Sequence, residues 1–347
     1  MIRAPANSVF AVTGGLAGLA LIIMAIVSPG IAAGGWLIGF IATAAIPLGS
    51  LAWLLIHRLT GGRWGAALRP ALLPAAGAVP LLALGFVPLL AALPLLYPWV
   101  AGGGAINPDV AALYLNVPSF VLRSVIGLLG WSLLALYLPR MTEYTGVLFA
   151  GIGLVFHAVA VSVLATDWIL SAQPPFFSTS FGASIAVAQL LAALAFAVLF
   201  SPKLDQSMTR DLGGLILTAV LGITYLNFMT VLVIWYGDLP DRVSWFIERL
   251  SGAWSVLAWG AFVFGALAPT AALLFARVRE SRAALRWVAV SILTGLACYF
   301  AWLITPANGI RTLAAAALAL LTLSCAFVLW SRIGLSARLL KRARTAP

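Results

Sequence analysis

The chain has 347 residues, of which 63% are hydrophobic and 8% charged, with a formal net charge of +11 and a mean hydropathy of +1.10. Those values exclude a soluble globular protein, whose water-facing surface needs far more polar side chains than this chain carries. They define a polytopic membrane protein, with the bilayer as the apolar solvent.

A helix that crosses hydrocarbon needs about 20 mostly apolar residues, and ten runs meet that length. In chain order they cover residues 10–28, 36–56, 72–95, 117–138, 144–170, 181–200, 212–236, 253–275, 287–305 and 313–331. None alternates apolar and polar residues as barrel strands do, so the predicted fold is all-α. Arg3, the first run and Ala32-Ala33-Gly34 together resemble a signal peptide with a small-residue cleavage site; the expectation is that the run is kept as the first span. Pro74, Pro80, Pro88 and Pro94 punctuate the third run and Pro269 the eighth, each predicted to kink its helix.

Charge orients the spans. Sixteen of the 20 basic residues fall in one alternating set of loops and ends: Arg3, Arg58 to Arg69, Arg140, Lys203 and Arg210, Arg277 to Arg286, and the tail from Arg332 to Arg344. The opposite set holds Arg123, Arg242, Arg249 and Arg311. The positive-inside rule places both termini in the cytoplasm. The same pattern explains the net charge without nucleic acid, and sets the basic tail against anionic lipid headgroups.

Several chemistries are excluded. Cys298 and Cys325 lie in different runs with no His or Cys at ligand spacing, so they read as small hydrophobes, with no metal and no disulfide. The two histidines are His57, at a helix end, and His157, which cannot build a bis-histidine haem. No Gly-rich phosphate loop occurs. If electrons pass here, a partner carries them.

Ionisable residues inside a membrane are functional candidates by default. His157 precedes Asp167 by ten residues on the fifth span, about 15 Å along the axis and about 80° around it; Glu143 marks the other end of the same helix. One reading is a proton path or a quinone contact, in which the carboxylate accepts a proton as a quinol is oxidised and the histidine bonds an oxygen. The other is structural: Asp167 caps a turn or pairs with a loop arginine, and His157 bonds a neighbouring helix. Two turns on the same predicted face carry acid plus aromatics, one from Thr166 to Gly182 and one with Trp235, Tyr236, Asp238, Asp241, Trp245 and Glu248. Tyr225 and Asp238 join the candidate proton or quinone contacts, although Tyr225, Asn227 and Thr230 also suit interhelical hydrogen bonds.

Further motifs are Leu59-Thr60-Gly61-Gly62-Arg63-Trp64-Gly65, Leu96-Tyr97-Pro98-Trp99 and Tyr114-Leu115-Asn116-Val117-Pro118. With them go Asp167-Trp168 followed by Phe177-Ser178-Thr179, Ile234-Trp235-Tyr236 followed by Leu239-Pro240, and Trp302 with Pro306. From about Leu59 to Pro306 the chain resembles the NrfD-like membrane subunits of bacterial alternative complex III, and among them the second, the quinone-binding subunit 2. The resemblance implies two four-helix bundles, residues 31–170 and 171–306, flanked by a first helix in 1–30 and by a last helix with a basic tail in 307–347.

It also implies the bacterial inner membrane and a complex that oxidises quinol. The implied partners are a sister NrfD-like quinol-binding subunit, an iron–sulfur subunit, cytochrome c subunits with haem c, and a terminal oxidase. The subunit itself would carry no redox centre and would not be catalytic alone; contact with quinone or a proton path stays open. The family has polar residues midway along the seventh span, a histidine before the eighth-span proline and an acid near the ninth-span end. This chain has Met229 and Thr230, Gly265 and Tyr299 there, which favours a scaffolding role. Two alternatives are a secondary transporter with a midplane site and a purely structural anchor of the complex.

Overall fold

The computed structural model describes residues 4–103, 107–140, 143–173, 176, 178–201, 205–237 and 240–333, without the side chains of 4–7, 143–145, 240–241 and 331–333. Asp238, Pro174, Pro175, Phe177 and the tail from Arg338 lie outside the described residues. All regular structure among them is helical: α1 (Ala4–Val27), α2 (Pro29–Thr60), α3 (Arg63–Ala76), α4 (Val79–Ala91), α5 (Leu93–Leu96), α6 (Pro108–Leu113), α7 (Val117–Tyr137) and α8 (Glu143–Trp168). There follow α9 (Phe181–Phe200), α10 (Gln206–Tyr236), α11 (Pro240–Leu250), α12 (Gly252–Phe262), α13 (Ala268–Leu274), α14 (Ala276–Glu280), α15 (Arg282–Asn308) and α16 (Thr312–Ile333). Ten segments among the described residues are long and apolar enough to span a bilayer, with α3–α4 and α12–α13 each acting as one. The chain is a multi-pass membrane protein.

Two details depart from the predicted elements. The expected loop over 29–35 is absent, because α2 starts at Pro29 after the single residue Ser28. Proline at the first helical turn forfeits no hydrogen bond, and the small residues that follow make a packing face. A Cβ added to Gly35 would come within 2.3 Å of the Ala315 Cβ, and one on Gly39 within 2.7 Å of the Ala319 Cβ. Small residues four apart on both helices thus let α2 and α16 touch backbone to backbone. Ala32-Ala33-Gly34, the stretch resembling a cleavage site, is buried in that helix.

The third span is broken where four kinks were expected. α3 ends at Gly77 and Ala78, and Pro80 and Pro94 stand in the first turns of α4 and α5. They begin helices; only Pro74 and Pro88 lie inside one.

α2 is the central helix, packed by α3, α8, α9, α15 and α16. α1 touches chiefly α16 and α2, and its other faces are exposed leucine, valine and isoleucine. Such faces suit lipid, where an apolar surface loses nothing by exposure.

The eighth span contains a π-helical turn, Val263–Leu267, with a definite cause. The Ala268 N–H skips back five residues to the Val263 carbonyl, so the Phe264 carbonyl has lost its α-helical donor. Its π-helical donor would be residue 269, a proline without an N–H. Ser291 Oγ supplies the missing bond at 2.8 Å. Beside this turn α15 crosses so closely that a Cβ on Gly295 would lie 2.1 Å from the Gly265 nitrogen.

Candidate functional site

Asn116 caps α7, its side chain accepting from the Ser119 N–H at 2.9 Å, and Pro118 sits in the first turn. That start puts Arg123 on the second turn of the helix, facing the last turn of α8. Arg123 Nε donates to Asp167 Oδ2 at 2.7 Å and Nη2 to Oδ1 at 3.2 Å, while Nη2 also reaches the Tyr114 carbonyl at 3.0 Å. The Asp167 side chain is fully buried and Arg123 is 19% exposed. The guanidinium lies 3.9 Å over the Tyr114 ring, and the Tyr114 hydroxyl bonds the same carboxylate. Burial pushes the Tyr114 phenol up to about 12, the Asp167 charge adding to the rise and Arg123 opposing it.

The cluster is closed on the protein side by aromatic rings. Tyr97 donates to the Trp168 carbonyl at 3.0 Å, Trp168 Nε1 to Ser124 Oγ at 3.0 Å, and Trp99 Nε1 to Ser171 Oγ at 3.3 Å. Burial first, and then the Asp167 charge, raises the Tyr97 phenol well above its ordinary value. Phe120 packs on Tyr97 and Trp99, and Phe86 on Trp168 at a ring separation of 5.0 Å. Tyr97, Trp99, Tyr114, Asn116, Asp167 and Trp168, drawn from three separated motifs, all meet here. A carboxylate held bidentately by a guanidinium and bonded by a phenol is an anion whose acceptor positions are in use. Arg123, expected in a loop, stands on the span itself.

The other predicted candidates are not brought to this cluster. His157 is buried midway along α8, and neither ring nitrogen has a hydrogen-bond partner among the described residues. It therefore makes no bond to a neighbouring helix, the structural role expected of it. Its ring is 6.0 Å from that of Trp131, whose own Nε1 is unpartnered, and Trp131 in turn lies 6.4 Å from Trp168. The indole thus stands between His157 and the Asp167 end. Glu143 is the first residue of α8, with its side chain outside the described set. Tyr225 faces outward from α10, 60% exposed.

A second feature lies between α9, α10, α12 and α15. It is a cavity of about 410 Å³, almost wholly apolar, with the Gly265–Gly295 crossing at its back and Phe176, Trp245 and Phe246 over one end. Its polar groups are few. The Tyr299 hydroxyl donates to Asn227 Oδ1 at 3.1 Å, Asn227 Nδ2 donates to the Ile223 carbonyl at 3.0 Å, and the Ser180 and Thr230 hydroxyls are 3.0 Å apart. Asn227 and Thr230 do bond across helices, as polar side chains at that depth require. Thr230, Gly265 and Tyr299, three of the four positions where the chain departs from the family pattern, line this cavity.

α11 is fastened over it by a residue that the charge count placed in an open loop. Arg249 is 1% exposed; Nη2 donates to the Leu303 carbonyl at 2.9 Å and to Gln173 Oε1, and its guanidinium stacks 3.7 Å from the Trp245 ring. Trp302 Nε1 returns a bond to the Arg249 carbonyl at 3.0 Å. Burial pushes Arg249 down to about 9, against the pull of Glu248, so it stays cationic at neutral pH. The amphipathic pattern of Trp245, Phe246, Arg249 and Leu250 was the available sequence signal; Tyr299 and Trp302 gave none beyond being aromatic.

The helices and the two features define a multi-pass, all-helical membrane protein with one closed ion-pair cluster and one internal apolar cavity. No family model matches the chain, and no curated protein matches it.

Proposed function

We propose that the chain is a non-redox membrane subunit of a quinol-oxidising respiratory complex of the alternative complex III kind, in a bacterial inner membrane, supporting assembly and electron transfer by its partners. In this reading the second to fifth and sixth to ninth spans form two four-helix bundles, with both termini on the cytoplasmic side. The partners are a sister quinol-binding subunit, an iron–sulfur subunit and cytochrome c subunits, with a terminal oxidase as acceptor.

One observation supports a supporting over a catalytic role. Oxidising a quinol requires a base that can take its protons, and neither feature offers one. Asp167 is fully buried with both oxygens on Arg123, and Tyr299 is the single ionisable group among the described residues lining the cavity. The residues that carry the family resemblance fold into the closed cluster, where they fix the geometry of α7 and α8.

Purification from the native membrane in mild detergent tests the reading. The expected result is co-purification with proteins carrying haem c and iron–sulfur clusters, seen by absorbance and mass spectrometry. Recovery of the chain alone, at native abundance and still folded, would overturn it.

A further inference from the structure

We propose that the cavity between α10, α12 and α15 is a binding site for a neutral, bilayer-borne molecule with a flat ring and a carbonyl oxygen, held there without chemical change. The inference needs only the membrane character of the chain and stands apart from membership in any respiratory complex.

The cavity opens toward lipid. Phe228 and Val231 on α10 and Phe262 on α12 line it and are also exposed on the molecular surface, between 45% and 59%. α10 rests on α9, α13 and α14, and α12 on α15, while α10 and α12 make no extensive contact with each other. A molecule dissolved in the bilayer can therefore enter sideways between two helices. A space of about 410 Å³ exceeds any void that close packing leaves in a protein interior, so in a membrane something fills it.

The walls specify what fills it. Tyr299 and Trp302 are nearly parallel, 24° apart with ring centres separated by 6.3 Å, and Trp245 lies face to face with Phe176 at 4.1 Å. Such ring faces favour a flat, unsaturated group. Asn227 Nδ2 carries two hydrogens; one goes to the Ile223 carbonyl, and the second has no partner among the described residues. An acyl chain would leave that donor unpaired away from water, which is unfavourable; a carbonyl oxygen would satisfy it. Ser184 and Thr224 give their protons to the Ser180 and Val220 carbonyls, so they can only accept from the occupant. Anything charged would lack a counter-ion, because the lining holds no charged side chain.

The test is equilibrium binding of radiolabelled decylbenzoquinone to the full chain in lipid nanodiscs, with empty nanodiscs as background. Saturable binding of about one molecule per chain is expected. Asn227→Leu should weaken it about 5- to 10-fold, the equivalent of one hydrogen bond, whereas Tyr299→Phe, which leaves the Asn227 amide in place, should change it less than about two-fold. Ala261→Trp, which fills the cavity, should abolish it. Non-saturable binding, or unchanged affinity in Asn227→Leu, would overturn the proposal. Equal competition by decanol would also overturn it, showing that an aliphatic chain alone occupies the site. If Ala261→Trp fails to fold, the contrast between Asn227→Leu and Tyr299→Phe still decides.

Discussion

Around Asp167, α7 and α8 close on an ion pair so completely that its carboxylate has no exposure; between α10, α12 and α15 the helices splay and leave about 410 Å³ bordered by a single amide–phenol pair. The first arrangement uses charge to lock two helices, with both oxygens of the carboxylate bonded. The second uses uncharged groups to keep a space open, with one N–H left over. Buried charge demands closure, because an unpaired ion away from water is strongly unfavourable. Neutral polar groups tolerate a cavity, since their residual hydrogen bonding can be met by a visiting molecule.

The largest effect that would break this contrast is removal of one charge. Arg123→Met should destabilise the protein by about 3–5 kcal/mol, as expected for an uncompensated buried carboxylate, and adding Asp167→Leu should restore most of the loss. Unfolding in detergent micelles measures both. A loss below about 1 kcal/mol for the single change would mean that the pair is effectively solvated.

In the open half the walls, not charges, should matter. Gly295→Ala puts a methyl group where the Gly265 backbone already stands, and overpacking of that kind costs about 1–3 kcal/mol. The same unfolding assay detects it, and a neutral result would show that α12 and α15 can slide apart without penalty.

His157 separates the halves in a different way, being polar, buried and unbonded. His157→Leu should be neutral or stabilising by about 1 kcal/mol, because it removes unsatisfied polar atoms, and turnover of any complex containing the chain should not change. A large loss of turnover with assembly intact would restore His157 as a proton or quinone contact.

The smallest effect concerns pH. The Tyr114 phenol is raised to about 12 in the folded protein, above its ordinary value near 10, so the folded state holds its proton where the unfolded chain has released it. The associated stability is complete below about pH 10 and disappears as pH rises through about 12. Tyr114→Phe should flatten that alkaline limb and leave neutral-pH stability within about 1 kcal/mol, the worth of one hydrogen bond. Thermal unfolding between pH 8 and 12 provides the comparison.

Much of this architecture was legible from composition and run length, since each of the ten apolar runs lies within a helix able to cross a bilayer. Helix starts were less so. Pro29 and Pro80 follow a rule about first turns that the run length obscured, and the polar first turns of α10, from Gln206, escaped an apolar count. Charge counting misplaced Arg123 and Arg249 because it records which end of a span a residue is near and says nothing of what it faces. The cavity was illegible for a geometric reason. It depends on how far α10 and α12 diverge, and its one polar pair joins Asn227 to Tyr299 across 72 residues.

The glycine face of α2 carries a consequence for synthesis. Gly35 and Gly39 rest on Ala315 and Ala319 of α16, so one of the first helices to leave the ribosome must wait for one of the last before its flattest surface is covered. Until then α2 is an insertion intermediate with an exposed docking stripe, and such sequence-distant closure is slow to form. Stalling translation after Asn308 should therefore trap a membrane-inserted, protease-sensitive species, whose maturation depends on supply of the α16 segment.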